Sequence, residues 1–298
     1  MNNRIPIPGP ISPIVLIAVI ATGMLMLALS IFPLAALARS AEIDENGIRI
    51  HQLKSPYQEK DTSLRVLLPD ELKEGKRHRV LFVLPVHEDG LFKHGDGLVE
   101  VQKANIHNRH QLICVAPAFS SKPWYADHDQ NPGKLDESHL LETVIPFLER
   151  NYPVRTDRKG RFLIGFSKSG WGALTLLLRH PDKFHKAVGW DPGIRIDMGP
   201  FDQGFDRKER IRRDFGSDAN FEKFRLSRLL KTRGKELGDK ARLFYFNCEG
   251  NSRTLGGTRI HNLMVREEVP HRYVMEAYRE HRWDSGWMPE ALEFLIGE

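Results

Sequence analysis

The chain has almost no cysteine: Cys114 and Cys248 are the two among 298 residues. Neither stands in a Cys-x-x-Cys or Cys/His spacing, which excludes a zinc site and a disulfide-dense scaffold. Each lies in or at the end of an apolar, strand-like run, LICVAP and LFYFNC, so two buried thiols are expected rather than a bridge. Charge of one sign is also scarce. The formal net charge is +5, and no Lys/Arg stripe interleaves with aromatics. That argues against a nucleic-acid partner. Internal repeats and low-complexity linkers are missing beyond the first 40 residues. Charged residues make up 28% and hydrophobic residues 41%, an ordinary balance that does not suggest disorder. The length suffices for one large α/β domain with a sizeable core.

The amino terminus stands apart. Arg4 is the only charge before an apolar run from Ile14 to Leu37, broken by Pro33. Ala36-Leu37-Ala38 offers an A-x-A cleavage site before Arg39. Residues 1–38 are expected to be a secretory signal peptide, followed by a folded domain over residues 39–298. The alternative is an uncleaved anchor, with membrane attachment through residues 14–37. Either would export the domain, as a secreted, periplasmic or cell-envelope protein. No Cys follows the run, so a lipoprotein anchor is not expected.

The stretch with most chemical content is RFLIGFSKSGWGALTLLLRHP, Arg161 to Pro181. Phe162-Leu163-Ile164 reads as a strand. Ala173, Leu174, Leu177 and Leu178 then recur at helical spacing. A serine at such a strand-to-helix turn is a nucleophile elbow, which needs small residues two before and two after the serine. Gly165 and Ser169 supply them around Ser167. The strict G-x-S-x-G is not met, because Ser169 replaces the last glycine. Ser169 itself is a poorer nucleophile, since Ser167 and not glycine precedes it by two. The Lys168 N–H is expected to face a developing oxyanion, with the lysine side chain pointing to solvent.

Strands are expected within Ala41–Tyr57 and over Ser63–Leu68. Val80–Leu84 and Leu112–Ala116 are continuous apolar runs, as in strands buried on both faces. Ala187–Trp190, Ala241–Asn247 and His271–Tyr278 complete the set. Helices are expected over Gly95–His107, Glu137–Tyr152, His261–Glu268 and Trp287–Ile296. Ile194 to Asp239 is rich in Arg and Lys, either part of a cap or a solvated helical excursion. The alternation implies an α/β fold with a mainly parallel sheet. Functional groups should gather at the carboxyl ends of its strands.

An elbow serine needs a base and an orienting acid, in the chain order Ser, Asp/Glu, His. His281 follows the last strand and is the expected base. Asp191, fixed by Pro192 and Gly193, is the favoured acid. Glu249, after LFYFNC, is the reserve. A second oxyanion donor should be the N–H of Val86 or His87. Trp124, Tyr125 and Asp127 are expected to build a wall of the site.

Together these residues resemble the putative-esterase family of the α/β-hydrolases, the group of esterase D, feruloyl esterases and mycolyltransferases. The similarity runs from about Arg79 to Leu295. It rests on LFVLPVHEDG, on Trp124-Tyr125-Ala126-Asp127, on Glu142 ahead of the elbow, on GALTLLLRHPDKF, and on His281-Arg282-Trp283. Three departures stand out. Pro85-Val86 replaces the usual His-Gly oxyanion turn, GFSKSG replaces G-x-S-M-G-G, and the acid after the seventh strand is missing or moved to Glu249. The sequence is similar to a bacterial subgroup with GFSKSGWGA elbows. The Asp-Pro after the next strand is also similar to pancreatic-type lipases, which take their acid there. The resemblance implies an α/β-hydrolase fold and a serine esterase that needs no metal or cofactor. Its partner would be a small-molecule or carbohydrate-linked ester. Acyl transfer with the same residues, or a catalytically inactive binding protein, are the alternatives.

Overall fold

Alternate residues of each apolar run go to opposite faces of a sheet, and that alternation builds two cores. The structure, a computed structural model, describes residues 41–198, 206–250 and 252–297. Its strands are Glu42–Ile43 (β1), Arg49–Leu53 (β2), Thr62–Leu67 (β3), Arg79–Val83 (β4), Leu112–Pro117 (β5), Arg161–Phe166 (β6), Lys186–Trp190 (β7), Leu243–Cys248 (β8) and His271–Glu276 (β9). They form a nine-stranded sheet in the order β1-β2-β3-β5-β4-β6-β7-β8-β9. The first three strands pair antiparallel, and β3 meets β5 antiparallel. From β5 through β9 every pairing is parallel. Val80, Phe82, Leu163, Ala187 and Tyr245 face one core. Leu81, Val83, Ile164, Val188 and Phe244 face the other.

On the first face lies the elbow helix, Ser167–Arg179. Its residues from Ser169 to Leu178 are all buried, because it is covered again from outside. Leu226, Leu229 and Leu230 of the helix Leu226–Arg233 share its core. The Arg/Lys-rich region is thus not a solvated excursion alone. It packs a second layer over the elbow helix, through the helices Arg207–Phe215, Asp218–Phe224 and Leu226–Arg233. On the second face lie Leu98 and Val101 from the helix Gly97–Lys103. Met288, Leu292 and Leu295 come from the closing helix Met288–Ile296. Burying such side chains contributes about 1.5–3 kcal/mol each.

Some element bounds differ from the periodicity. The helix expected over Gly95–His107 is two pieces, Gly97–Lys103 and Ile106–Arg109, because Asn105 takes φ 53°. The helix expected over Glu137–Tyr152 begins at Asp136–Ser138, widens into a π-helical stretch His139–Val144, and ends as Ile145–Asn151. The helix after β8 is longer than expected, Thr254–Arg266. Cys114 and Cys248 are buried and not joined by a disulfide. Among the described residues no helix is long and apolar enough to cross a membrane. The signal-peptide or anchor assignment to residues 1–38, with attachment through 14–37, lies outside the described residues.

Candidate active site

The parallel pairing carries β4, β6, β7, β8 and β9 to one sheet edge, and the expected site residues follow those strand ends. Ser167 is the first residue of the elbow helix and has φ 53°. A non-glycine residue in this left-handed region is held against an energetic penalty of about 1 kcal/mol or more. Three contacts hold it. The Gly193 N–H donates to Ser167 O at 2.7 Å. The Ser169 Oγ donates to Phe166 O at 2.9 Å and accepts from Phe166 N at 3.1 Å. At Gly165 a Cβ would meet Ser169 O at 2.3 Å, so the turn admits only glycine there. Ser169 is fully buried and serves as a backbone clamp in the position of the motif's missing glycine.

Asp191 directly follows β7. It has φ 40°, its N–H donates to Phe246 O at 2.6 Å, and it is 1% exposed. His281 Nδ1 donates to Asp191 Oδ2 at 2.6 Å. Arg253 Nη1 approaches the same oxygen at 3.4 Å. The His281 ring is boxed by Phe166 edge-on (4.8 Å between centroids), Trp190 stacked (5.9 Å) and His94 edge-on (5.8 Å). With Nδ1–H engaged, the Nε2 lone pair is the one left for proton transfer. Glu249 lies exposed after β8, its backbone N–H donating to Glu276 O at 2.9 Å. The carboxylate bonded to His281 is that of Asp191.

Ser167, Lys168, Val86, His87, His94 and His281 line one cleft of about 960 Å³. The Lys168 N–H belongs to the first turn of the elbow helix, where no intrahelical carbonyl is available. Val86 and His87 belong to the turn after β4. Both ring nitrogens of His87 are buried and lack a hydrogen-bond partner. Burial, then the charges of Lys168 and His94, lower His87 to about 4, so its imidazole is neutral at pH 7. Among the described residues no group of three His, Cys, Asp or Glu side chains is placed to hold a metal ion.

Of the expected wall, only Trp124 reaches the cleft. It is 4% exposed, and its Nε1 donates to Asp214 Oδ2 at 2.9 Å. Tyr125 has φ 56°, which turns it inward. It is fully buried, with its OH donating to Pro85 O at 2.5 Å. Its ring fills the space where a Cβ on Gly172 would lie, 2.2 Å from Cδ2. Tyr125 therefore supports the elbow helix and the turn after β4 from beneath. Asp127 accepts from Ser138 N at 3.0 Å and Ser138 Oγ at 2.5 Å, which fixes the start of the helix before the elbow. Neither is a wall residue. Lys168 also departs from expectation. Its side chain is partly buried and faces the cleft. Burial pushes its ammonium down to about 8, with Asp214 opposing and Lys122 assisting the shift.

The sequence reading missed most of the remaining wall. Arg210 and Arg213 come from the helix Arg207–Phe215, and Lys122 and Lys134 from the loop after β5. Asp214 gathers several of these groups, accepting from Lys134 Nζ at 3.1 Å and Arg213 Nη2 at 2.7 Å. Burial raises its pKa, but Arg213 and Lys134 outweigh that and leave it lowered. The one available signal was the density of Arg and Lys in DRKERIRRDF.

The sheet order, the elbow after β6 and the histidine loop after β9 together define an α/β-hydrolase. The chain matches the family model described as "Putative esterase" over residues 55–207. It belongs to that family and is a carboxylic ester hydrolase. Among solved structures it is similar to the S-formylglutathione hydrolase from Agrobacterium tumefaciens, with TM-score 0.69 and 14% identity over 87% of this chain and 98% of that one. The S-formylglutathione hydrolase FrmB from Staphylococcus aureus gives 0.67 and 17%, over 84% and 98%. The ferulic acid esterase AmCE1/Fae1A from Anaeromyces mucronatus, solved with ferulic acid, gives 0.55 and 17%, over 84% and 89%. At such identities the likeness is one of fold.

Proposed function

We propose that this esterase works through Ser167, His281 and Asp191 and an acyl-enzyme. Ser167 Oγ attacks the acyl carbon while its proton passes to His281 Nε2. The carbon–oxygen bond to the alcohol breaks, and the same proton leaves on the alcohol. Water then attacks the acyl-enzyme, gives a proton to His281, and releases the acid as Ser167 regains its proton. Asp191 holds the tautomer and stabilises the imidazolium. The N–H groups of Lys168 and of Val86 or His87 stabilise the tetrahedral oxyanion. The observation that carries this reading is the 2.6 Å bond from His281 Nδ1 to Asp191, beside a serine held at φ 53°.

The test is hydrolysis of p-nitrophenyl acetate and butyrate by the chain from Arg39 onward, together with labelling by a fluorophosphonate. Ser167→Ala should lose labelling and at least about 10³-fold in kcat, and Asp191→Asn about 10²- to 10⁴-fold. Glu249→Gln should keep activity. A dead Glu249→Gln beside an active Asp191→Asn would move the acid to Glu249. Export is part of the same proposal, with residues 1–38 as its signal segment. Expression of the full chain followed by fractionation and amino-terminal sequencing should find Arg39 as the first residue, outside the cytoplasm. A cytoplasmic, uncleaved chain overturns that part.

A further inference from the structure

The cleft around Ser167 is far more cationic than hydrolysis of a neutral ester requires. Among the described residues lining it, seven are Lys or Arg and three are Asp or Glu. The acids are partly spent. Asp214 is engaged by Trp124, Lys134 and Arg213, and Glu59 accepts from Asn131 Nδ2 at 2.9 Å. Glu88 remains as a countercharge, with one carboxylate oxygen buried and unpartnered. Lys134, Arg213 and Arg253 each pair with a carboxylate, and two of the cations differ from these three. Lys168, next in sequence to Ser167, and Lys122, exposed on the rim, have no carboxylate within ion-pair distance among the described residues. A second observation comes from neutral groups. The Ser121 hydroxyl and both His87 ring nitrogens are buried in the same cleft without hydrogen-bond partners. A desolvated cation such as Lys168 and orphaned polar atoms are costly to keep. Anionic oxygens would pair with the cations and accept hydrogen bonds from the Ser121 hydroxyl and from the one His87 ring nitrogen that carries a proton.

We propose that the ester accepted by this cleft carries a negatively charged group, a carboxylate or phosphate, near the scissile bond. Lys168 Nζ and Lys122 Nζ hold that group, and Ser121 and His87 supply neutral hydrogen bonds. The inference rests on the proposed role of Ser167. The charge can sit on the acyl side or on the alcohol side, and the chemistry that recognises it is the same.

The experiment compares kcat/KM for matched anionic and neutral esters at low salt. On the acyl side the pair is p-nitrophenyl hydrogen glutarate and p-nitrophenyl valerate. On the alcohol side, 3-acetoxybenzoate and 3-acetoxyphenyl phosphate are set against phenyl acetate. At least one pair should favour the anion by about tenfold or more. That ratio should fall severalfold in the Lys122→Gln/Lys168→Gln double variant and survive in Lys168→Arg, which keeps the charge. Should the double variant fail to fold, the wild-type ratio is read against ionic strength, where it should collapse between 50 mM and 1 M salt. Labelling with a fluorophosphonate and turnover of neutral esters, without an anion preference in any pair, would overturn this inference alone. A preference that persists in the double variant, or is insensitive to salt, would do the same. Absence of both labelling and turnover would overturn the Ser167 reading and this inference with it.

Discussion

The two ends of the parallel strands are both basic, yet they use their cations in opposite ways. At the amino ends a cavity of about 650 Å³ is lined by Arg79, Arg155, Arg158, Lys186 and Arg242, among others. Here the buried cations are answered by the chain itself. Arg242 donates to Pro181 O, Phe184 O and His185 O at 2.6–2.7 Å, and to Leu237 O at 3.4 Å. Lys186 Nζ donates to Phe294 O at 2.9 Å and Gly297 O at 2.5 Å. These side chains close loop and helix ends whose carbonyls would otherwise be orphaned. At the carboxyl ends, Lys168 and Lys122 have no such partner among the described residues. The lesson is that positive charge does not by itself mark a binding site. The proposed anion site rests instead on cations without a carboxylate partner among the described residues, beside the proposed nucleophile.

The largest effect that would sharpen this contrast is at the amino end. Arg242→Met removes donors from up to four carbonyls, and should cost about 3 kcal/mol, or roughly 6–12 °C in Tm. Its ratio of anionic to neutral ester turnover should match wild type. Calorimetry with a stable Arg242→Met would show that those contacts add little, and the contrast would lose its structural half.

Lys168→Gln should behave the other way. It removes a desolvated ammonium, so it should stabilise the fold by about 1–2 kcal/mol at pH 7. The sign follows from a folded pKa of about 8, below the usual value for lysine of about 10.4. The charged form is therefore disfavoured in the fold, and the cost is full below pH 8. It fades as pH rises to about 10.4, where the unfolded chain also loses its proton. Urea titrations at pH 7 and pH 10 should show the advantage of Lys168→Gln shrinking. An equal or larger advantage at pH 10 would mean that the burial of Lys168 is not what separates the two ends.

A smaller effect is expected on specificity with pH. The groups facing Lys168 are Lys122, Arg213, Asp214 and Glu88, with His87 and His94 beside them, both lowered chiefly by burial. Burial brings Lys168 itself down to about 8. The preference for anionic esters should therefore decline about two- to fivefold as pH rises through 8. Neutral esters should not share that decline. Parallel pH profiles of the two ester types separate this from any effect of pH on the chemical step, which would affect both.

Much of the fold was legible because burial on both faces of a parallel sheet leaves a plain mark. β4 to β8 are the apolar runs that the sequence displays, and the elbow helix follows at the expected place. The failures have local physical causes. Asn105 adopts a left-handed conformation and splits one helix, and the π-helical stretch His139–Val144 interrupts another. Neither disturbs the apolar periodicity enough to show. Tyr125 and Asp127 sit in an aromatic loop that reads as a substrate wall. A backbone turn at Tyr125, φ 56°, sends the ring under the elbow helix instead.

The sequence by itself determined the parallel α/β sheet, the sharp turn at Ser167 and the presence of a histidine just past the last strand. These depend on local pattern: apolar runs, small residues at fixed offsets, and punctuation by glycine and proline. The tertiary structure alone decided which carboxylate meets His281. Asp191 and Glu249 both follow strand ends, and only the positions of β7, β8 and the 279–287 loop in space bring one of them to 2.6 Å. It also decided that Lys122 and Arg213, 91 residues apart in the chain, line one cleft with Lys168. Charge density can be read from a string of residues. Whether a charge is answered by a neighbour or left facing a cavity depends on contacts between distant segments, and those exist only after folding.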